Sequence, residues 1–272
     1  MFGEKRMSLA NRNALITGGA RGIGRSIALA YLREGATVFI TGQSEDSLQK
    51  GIADLKSTLN GNGSDARILG GVLDVRDQES VNKLVNNAMN ALGEIDILVN
   101  NAGRGGGGPT LRTQPNLWFE IIEVNLHGTY RMTRAVLERS GMLKRKWGRI
   151  INMASTGGKQ GVQLAAAYTA SKHGVVGLSK SLGLELAKTG VTVNAICPGF
   201  VETDLAKKAR EGYAAAWNVD TEEVLRRMEA RIPLGRYVQP DEVAPLAVLL
   251  ASDNSAAITA QAINVCGGLG NY

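Results

Sequence analysis

A phenol and an ammonium stand four residues apart at Tyr168-Thr-Ala-Ser-Lys172, a spacing that puts both on one face of a helix. A phenol of pKa about 10 is a poor proton donor near neutrality, but a neighbouring cation stabilises the phenolate. The pair therefore predicts a lowered phenol pKa and a usable general acid. Chance yields such a pair in about one of four chains of this composition, so it carries little weight alone. Ser155 strengthens it, because it closes a predicted strand thirteen residues earlier in the sequence. A hydroxyl there can hold a carbonyl oxygen while the phenol protonates it.

A second constellation is the turn Thr17-Gly18-Gly19-Ala20-Arg21-Gly22-Ile23-Gly24, which directly follows one predicted strand and opens a predicted helix. A helix N-terminus offers free backbone N–H groups and a positive dipole end, and glycines let a pyrophosphate approach the backbone. The second predicted strand ends Ile40-Thr41-Gly42-Gln43, without the acidic residue that would bind a ribose 2′-hydroxyl. Arg21 lies in the phosphate loop and can pair a 2′-phosphate, which favours NADPH over NADH. Further strands end at Asp74-Val75 and at Asn100-Asn101-Ala102-Gly103, and five glycines fall within the six residues 103–108. Ligands of open α/β sheets bind at the carboxyl ends of strands, so all these segments share one edge.

The elements that must position these residues are short β-branched runs alternating with stretches of helical period, the pattern of βαβ units and a parallel sheet. Strands are expected near Ala14–Thr17, Thr37–Thr41, Arg67–Leu73, Ile95–Asn100, Arg149–Met153, Thr192–Ile196 and Ala262–Val265. Helices are expected near Gly22–Arg33, Glu45–Leu59, Gln78–Ala91, Pro115–Ser140, Tyr168–Leu186 and Pro240–Ala251. The expected fold is α/β: a single doubly wound Rossmann-type domain, residues 1–272, with a parallel seven-stranded sheet. Residues 202–236 interrupt the last unit with balanced charge and are expected to form a helical lid.

Composition fits an ordinary globular chain apart from its 34 glycines in 272 residues, well above the usual ~7%. Two cysteines, Cys197 and Cys266, and two histidines leave no basis for a disulfide framework or a metal site. No apolar run suits a membrane span or an export signal, so a cytoplasmic protein is expected. The net charge of +6 is modest, and no nucleic-acid partner is inferred. Lys144, Arg145, Lys146 and Arg149 precede the fifth strand, at the edge opposite the candidate site, and are expected to be solvated surface.

The glycine turn, Asn-Asn-Ala-Gly, Ser155, Tyr168-x-x-x-Lys172 and Pro198-Gly199, in that order, resemble the short-chain dehydrogenase/reductase family over nearly the whole chain. Longer strings resemble the ketoreductases of aromatic (type II) polyketide synthases, the actinorhodin ketoreductase type. Two of these are Ala154-Ser-Thr-Gly-Gly-Lys-Gln-Gly161 and Asn264-Val-Cys-Gly-Gly-Leu-Gly-Asn-Tyr272. Ser171-Lys-His-Gly-Val-Val-Gly177, Cys197-Pro-Gly-Phe-Val-Glu-Thr203 and Gly235-Arg-Tyr-Val-Gln-Pro240 are similar to that type too.

The resemblance implies that Ser155 orients the substrate carbonyl, Tyr168 protonates it, and Lys172 lowers the phenol pKa and binds the nicotinamide ribose. Asn125 would carry a proton relay to Lys172. Around NADPH the implied contacts are Thr17, Gly18, Arg21, Gly22, Ile23, Gly24, Gln43, Asp74, Val75, Asn101, Ala102, Gly103, Pro198, Gly199, Val201 and Thr203. Gln43 stands where relatives of that type carry arginine, so recognition of a 2′-phosphate leans on Arg21. Arg104 is a candidate for a carrier phosphopantetheine phosphate. The implied reaction is reduction of one ketone of a poly-β-ketone thioester on an acyl carrier protein, by a homotetramer. The alternatives are a 3-oxoacyl-(acyl-carrier-protein) reductase of fatty acid synthesis, a free-ketone reductase, or an NADP-binding regulatory protein without turnover.

Overall fold

The computed structural model describes residues 8–59 and 67–272. Seven strands form one sheet: β1 (Asn13–Ile16), β2 (Thr37–Gly42), β3 (Ile68–Val72), β4 (Ile97–Asn100), β5 (Gly148–Met153), β6 (Val191–Pro198) and β7 (Ala262–Val265). All neighbouring strands pair in parallel, in the order 3-2-1-4-5-6-7. The order reverses direction between β1 and β4, which opens a crevice at their carboxyl ends.

The helices are α1 (Gly22–Arg33), α2 (Glu45–Leu59), α3 (Gln78–Leu92), α4 (Pro115–Ile122), α5 (Gly128–Arg139) and α6 (Met142–Arg145), then α7 (Ala166–Glu185), α8 (Asp204–Trp217), α9 (Thr221–Glu229) and α10 (Pro240–Ala251). Alternation along the strands divides the core. Ala14, Ile16, Val38 and Ile40 face α1 and α10, whereas Leu15 and Phe39 face the opposite layer with Leu84, Met132 and Val136. Strands buried on both faces explain the continuous apolar runs of the sequence. Within the first layer the buried Tyr31 hydroxyl donates to the Ala247 carbonyl at 3.0 Å, which ties α1 to α10.

The expected lid is two helices, α8 and α9, over a small core of their own, in which Val224, Met228, Ile232 and Tyr237 are buried. Phe200 stacks on Tyr237 with ring centroids 5.3 Å apart.

Two expectations need correction. The helix expected over Pro115–Ser140 is interrupted: between α4 and α5 the turn Glu123–His127 widens to π-type hydrogen bonding. Periodicity does not register this, because a π-turn adds one residue without changing the apolar pattern much. The basic cluster before β5 is only half solvated. Arg149 is 2% exposed and donates to the carbonyls of Ser252, Gly148 and Gly190 at 3.2, 2.9 and 3.4 Å. Arg145 bonds the Ser140 carbonyl and pairs with Asp96 and Glu94 at 3.1 and 3.2 Å. Loop carbonyls at the amino edge need donors, and long guanidinium side chains supply them. Lys144 and Lys146 are exposed, as expected.

Candidate active site

The cofactor turn follows from backbone geometry. Gly18 and Gly22 have φ of 63° and 55°, in the left-handed region open to glycine. A β-carbon on Gly24 would lie 2.4 Å from both the Gly18 carbonyl oxygen and the Asn101 side-chain nitrogen, so only glycine lets α1 start this close to β4. Thr17 Oγ1 accepts from the backbone N–H groups of Asn101 and Ala102, both at 3.0 Å. The Asn101 amide donates back to the carbonyls of Thr17 and Gly18, also at 3.0 Å. The Gly18 N–H donates to Thr41 Oγ1 at 3.0 Å. Three strand ends are thereby locked around one turn.

The start of α1 differs from those of α3, α8 and α9. Asp77, Thr203 and Asp220 cap α3, α8 and α9 through their side chains. Arg21 makes no such bond at α1, whose first turn holds no acidic residue. Uncapped amides and a positive dipole end over a glycine cradle suit a pyrophosphate. Thr203 reaches the same turn, since a β-carbon on Gly22 would lie 3.5 Å from its methyl carbon.

The remaining positions fall along the same edge. Ile23 packs half-buried on the core. The Asp74 carboxylate is engaged by Arg76 at 2.6 Å, which holds its pKa below the ordinary value, while Val75 is buried beside it. The Gly199 N–H donates to the Val265 carbonyl at 3.0 Å, following Pro198 at the end of β6. Val201 forms an isolated bridge with Val238. Gln43 is exposed at the mouth of the edge. Arg21 is exposed and makes only a long 3.8 Å contact with Asp204 at the start of α8. The Arg104 side chain pairs with Glu120.

The reactive groups converge beyond β5. Ser155 lies two residues past the strand, where its Oγ accepts from the Gly157 N–H at 3.0 Å. Tyr168 and Lys172 share the first turns of α7. A β-carbon on Gly157 would lie 3.4 Å from Ser155 Oγ and 3.6 Å from the Tyr168 ring, so the two side chains flank one glycine. Lys172, 6% exposed, donates from Nζ to the Met153 carbonyl at 2.7 Å and lies 5.8 Å from the Tyr168 ring centroid.

The expected lowering of the phenol pKa is not found. Burial raises the Tyr168 pKa against the opposing influence of the Ser155 hydroxyl. Burial also lowers the Lys172 pKa to about 8. The cation that was to stabilise the phenolate is itself disfavoured by the low dielectric around it.

Asn125, 1% exposed, sits in the π-turn. Its Oδ1 accepts from the Arg104 N–H at 2.8 Å, and its Nδ2 donates to the Arg104 carbonyl and Ser171 Oγ, both at 3.0 Å. A β-carbon placed on Gly103 would lie 3.4 Å from Asn125 Oδ1 and 3.7 Å from Lys172 Nζ. The asparagine and the lysine thus flank one glycine. Ser171, which sequence reasoning passed over, ties that asparagine to the start of α7 by donating to the Tyr168 carbonyl at 2.7 Å.

A family model described as enoyl-(acyl carrier protein) reductase matches residues 18–270. A granaticin polyketide synthase ketoacyl reductase of Streptomyces violaceoruber is 52% identical, with 95% of this chain and 93% of the relative covered. A 3-oxoacyl-(acyl-carrier-protein) reductase of Vibrio harveyi is 40% identical, with 97% and 99% covered. Among solved structures, a variant of actinorhodin polyketide ketoreductase with NADPH superposes with a TM-score of 0.91 at 50% identity, covering 96% of this chain and 98% of that one.

Proposed function

Because the chain belongs to the short-chain dehydrogenase/reductase family, we propose that it is an NADPH-dependent ketoreductase of polyketide biosynthesis. Its reaction converts one ketone of a poly-β-ketone, held as a thioester on an acyl carrier protein, to a secondary alcohol. The observation that carries the chemistry is the convergence of the Ser155 hydroxyl and the Tyr168 ring on either side of Gly157, with the buried Lys172 ammonium 5.8 Å from that ring. The fatty-acid alternative is disfavoured by the drop from 52% to 40% identity between the two kinds of relative.

Two hydroxyl donors meeting at one point can both reach a single carbonyl oxygen, where negative charge develops as the carbonyl is reduced. NADPH supplies the hydride when bound. The Ser155 hydroxyl holds the carbonyl oxygen, leaving its own lone pair on the Gly157 N–H. Tyr168, kept protonated by burial, delivers its proton to that oxygen. Lys172 stands beside the phenol to steady the resulting phenolate, and Asn125 belongs to the path that returns a proton to it. The turn Thr17, Gly18, Arg21, Gly22, Ile23 and Gly24 cradles the pyrophosphate, with Asp74, Val75, Asn101, Ala102 and Gly103 along the adenosine side. Pro198, Gly199, Val201 and Thr203 line the nicotinamide side. The Arg21 guanidinium pairs the 2′-phosphate, with Gln43 beside it.

A homotetramer is supported by Trp118, Phe119 and Tyr130, which stand 42%, 66% and 48% exposed on α4 and α5. A cytoplasmic setting is supported by two buried, unbridged cysteines. None of the described helices is long and apolar enough to cross a membrane.

The deciding experiment is a substrate panel with NADPH, comparing trans-1-decalone, a bicyclic ketone, with acetoacetyl thioesters. Faster turnover of decalone supports the polyketide reading, and faster turnover of the linear thioester transfers the assignment to fatty acid synthesis. NADPH binding without turnover of any ketone would leave only a regulatory protein.

A further inference from the structure

Two of the strings that resemble polyketide ketoreductases, residues 154–161 and 264–272, are far apart in sequence, and the mechanism uses only Ser155 from either. In the fold they are bonded to each other. Lys159 Nζ donates to the Ala262 carbonyl, Asn264 Oδ1 and the Tyr272 carbonyl at 3.2, 3.1 and 2.7 Å. The Tyr272 hydroxyl donates to the Thr156 carbonyl at 3.3 Å, and its ring lies 5.1 Å from the Lys159 ammonium. The segment after β7 is held in shape for this contact. Asn264 Nδ2 donates to the Gly270 carbonyl at 2.8 Å, and the Gly270 N–H donates to Cys266 Sγ at 3.3 Å.

The clasped turn is the one that orients Ser155. Gly157 gives its N–H to Ser155 Oγ, and Gly158 gives its own to the Ser155 carbonyl at 2.8 Å. The N–H groups of Lys159 and Gln160 both donate to the Thr156 carbonyl, at 3.0 and 3.1 Å, the same oxygen that Tyr272 bonds. On its other side the turn lies directly on α7, since a β-carbon on Gly158 would come within 2.6 Å of the Lys172 carbonyl oxygen. The turn is therefore pressed between the helix that carries Tyr168 and Lys172 and the segment that ends in Tyr272.

We propose that Lys159 and Tyr272 are positioning residues: they strap β7 and the segment after it onto the turn 156–160 and thereby hold the Ser155 hydroxyl in place beside Tyr168. Lys159 acts through two oxygens of β7 and the Tyr272 carbonyl and touches no reacting atom. The bond from Gly157 fixes the place of the Ser155 oxygen on the side of that glycine where the Tyr168 ring also lies. Release of the strap lets the turn tilt, and the two donors no longer meet at one oxygen. The catalytic part of this inference rests on the ketoreductase reading, whereas the structural part does not.

The test uses the full chain carrying Lys159→Met, Lys159→Arg or Tyr272→Phe. Hydrogen exchange of the cofactor-free protein reads the strap directly. Lys159→Met is expected to speed exchange of the amides of residues 157–160 about tenfold while the amides of the turn 17–24 keep the parent rate. In decalone reduction the same variant is expected to lose about tenfold or more in kcat, with NADPH affinity within about twofold of the parent. Lys159→Arg, whose guanidinium can reach the same oxygens, is expected to restore most of both losses. Tyr272→Phe, which removes one bond and leaves the fold least disturbed, is expected to lose a smaller factor in kcat. Parent-like exchange at 157–160 in Lys159→Met overturns the strap, and faster exchange with unchanged kcat overturns its role in positioning Ser155. A parent enzyme that reduces no ketone sinks the ketoreductase reading instead, and the exchange rates still judge the strap.

Discussion

The two edges of the sheet use polar side chains in opposite ways. At the amino edge, Arg149 and Arg145 spend their guanidinium donors on carbonyls and carboxylates of the same chain, and Trp147 bonds Asp253 at 2.8 Å while lying under the Arg12 guanidinium. At the carboxyl edge, the start of α1 has no side-chain cap, Ser155 and Tyr168 flank Gly157, and Arg21 is exposed with one distant ion-pair partner among the described residues. Residues of the same types therefore hold the fold together at one end and await a ligand at the other. What separates them is whether the hydrogen-bonding capacity is used internally, a property that residue type alone does not reveal.

The comparison predicts that substitutions at the two edges divide cleanly between activity and stability. Tyr168→Phe is expected to show the largest effect, a loss of about 10³-fold or more in kcat for NADPH-dependent ketone reduction, the range for removing a general acid. Its urea midpoint is expected to match or exceed the parent's, because the hydroxyl removed from this half-buried side chain makes no internal hydrogen bond among the described residues. A variant that oxidises NADPH with ketone as fast as the parent would break the assignment.

The converse is Arg149→Met. Three carbonyls at the ends of β5, β6 and α10 lose their donor, so unfolding free energy is expected to fall by about 3 kcal/mol, while kcat stays within about twofold of the parent. A large loss of kcat without loss of stability would mean that the amino edge communicates with the site.

This division also marks how much was legible in the sequence. The parallel sheet and the extents of α1, α2 and α10 follow from apolar runs and helical period, which local residues determine. Ser155, Tyr168 and Lys172 could be brought together because strand ends of an open parallel sheet must share an edge. Three features were not legible. The π-turn that carries Asn125 depends on the docking of the Asn125 amide against the Arg104 backbone, a contact across 21 residues. The burial of Arg149 depends on loops 41 and 103 residues away. The pKa of Tyr168 is set by the density of atoms around it, which no spacing encodes. The strap between Lys159 and Tyr272 had a visible sign in the specificity of its two strings, but their contact had none.

The pH dependence sharpens the carboxyl edge itself. Tyr168 is raised above its ordinary value and Lys172 is lowered to about 8, so the lysine loses its proton first. In the ketone-reducing direction, kcat/KM is expected to be level below pH 8 and to fall about tenfold per unit above it, the free-enzyme ionisation being read by that ratio. Stability moves the other way. Because the Lys172 pKa is depressed on folding, the charged form costs stability that is fully present below pH 8 and is relieved as pH rises toward 10. Lys172→Met is therefore expected to exceed the parent in unfolding free energy at pH 7, with the gap narrowing by pH 10. Parallel curves for the two proteins would show that Lys172 is solvated, and the fall in kcat/KM would then need another group.

The smallest expected effect concerns Arg21, where the contrast between the edges is most exposed to failure. Arginines at the amino edge are fixed by several short bonds, whereas Arg21 has a 3.8 Å contact to Asp204 and both side chains are largely exposed. A pair of that kind contributes little to stability, so Arg21→Ala is expected to leave the urea midpoint unchanged. Its freedom is what allows it to swing onto a 2′-phosphate, a dianion that an arginine binds through two parallel N–H groups. With Gln43 at the end of β2 carrying no charge, Arg21 is the cation on which discrimination rests. Arg21→Ala is expected to raise KM for NADPH by about tenfold and to leave KM for NADH within about twofold, the loss of one charge-assisted contact to the phosphate. Equal increases for both cofactors would place Arg21 on the shared pyrophosphate instead, and the preference for NADPH would have to arise from groups other than the one cation that the phosphate turn contains.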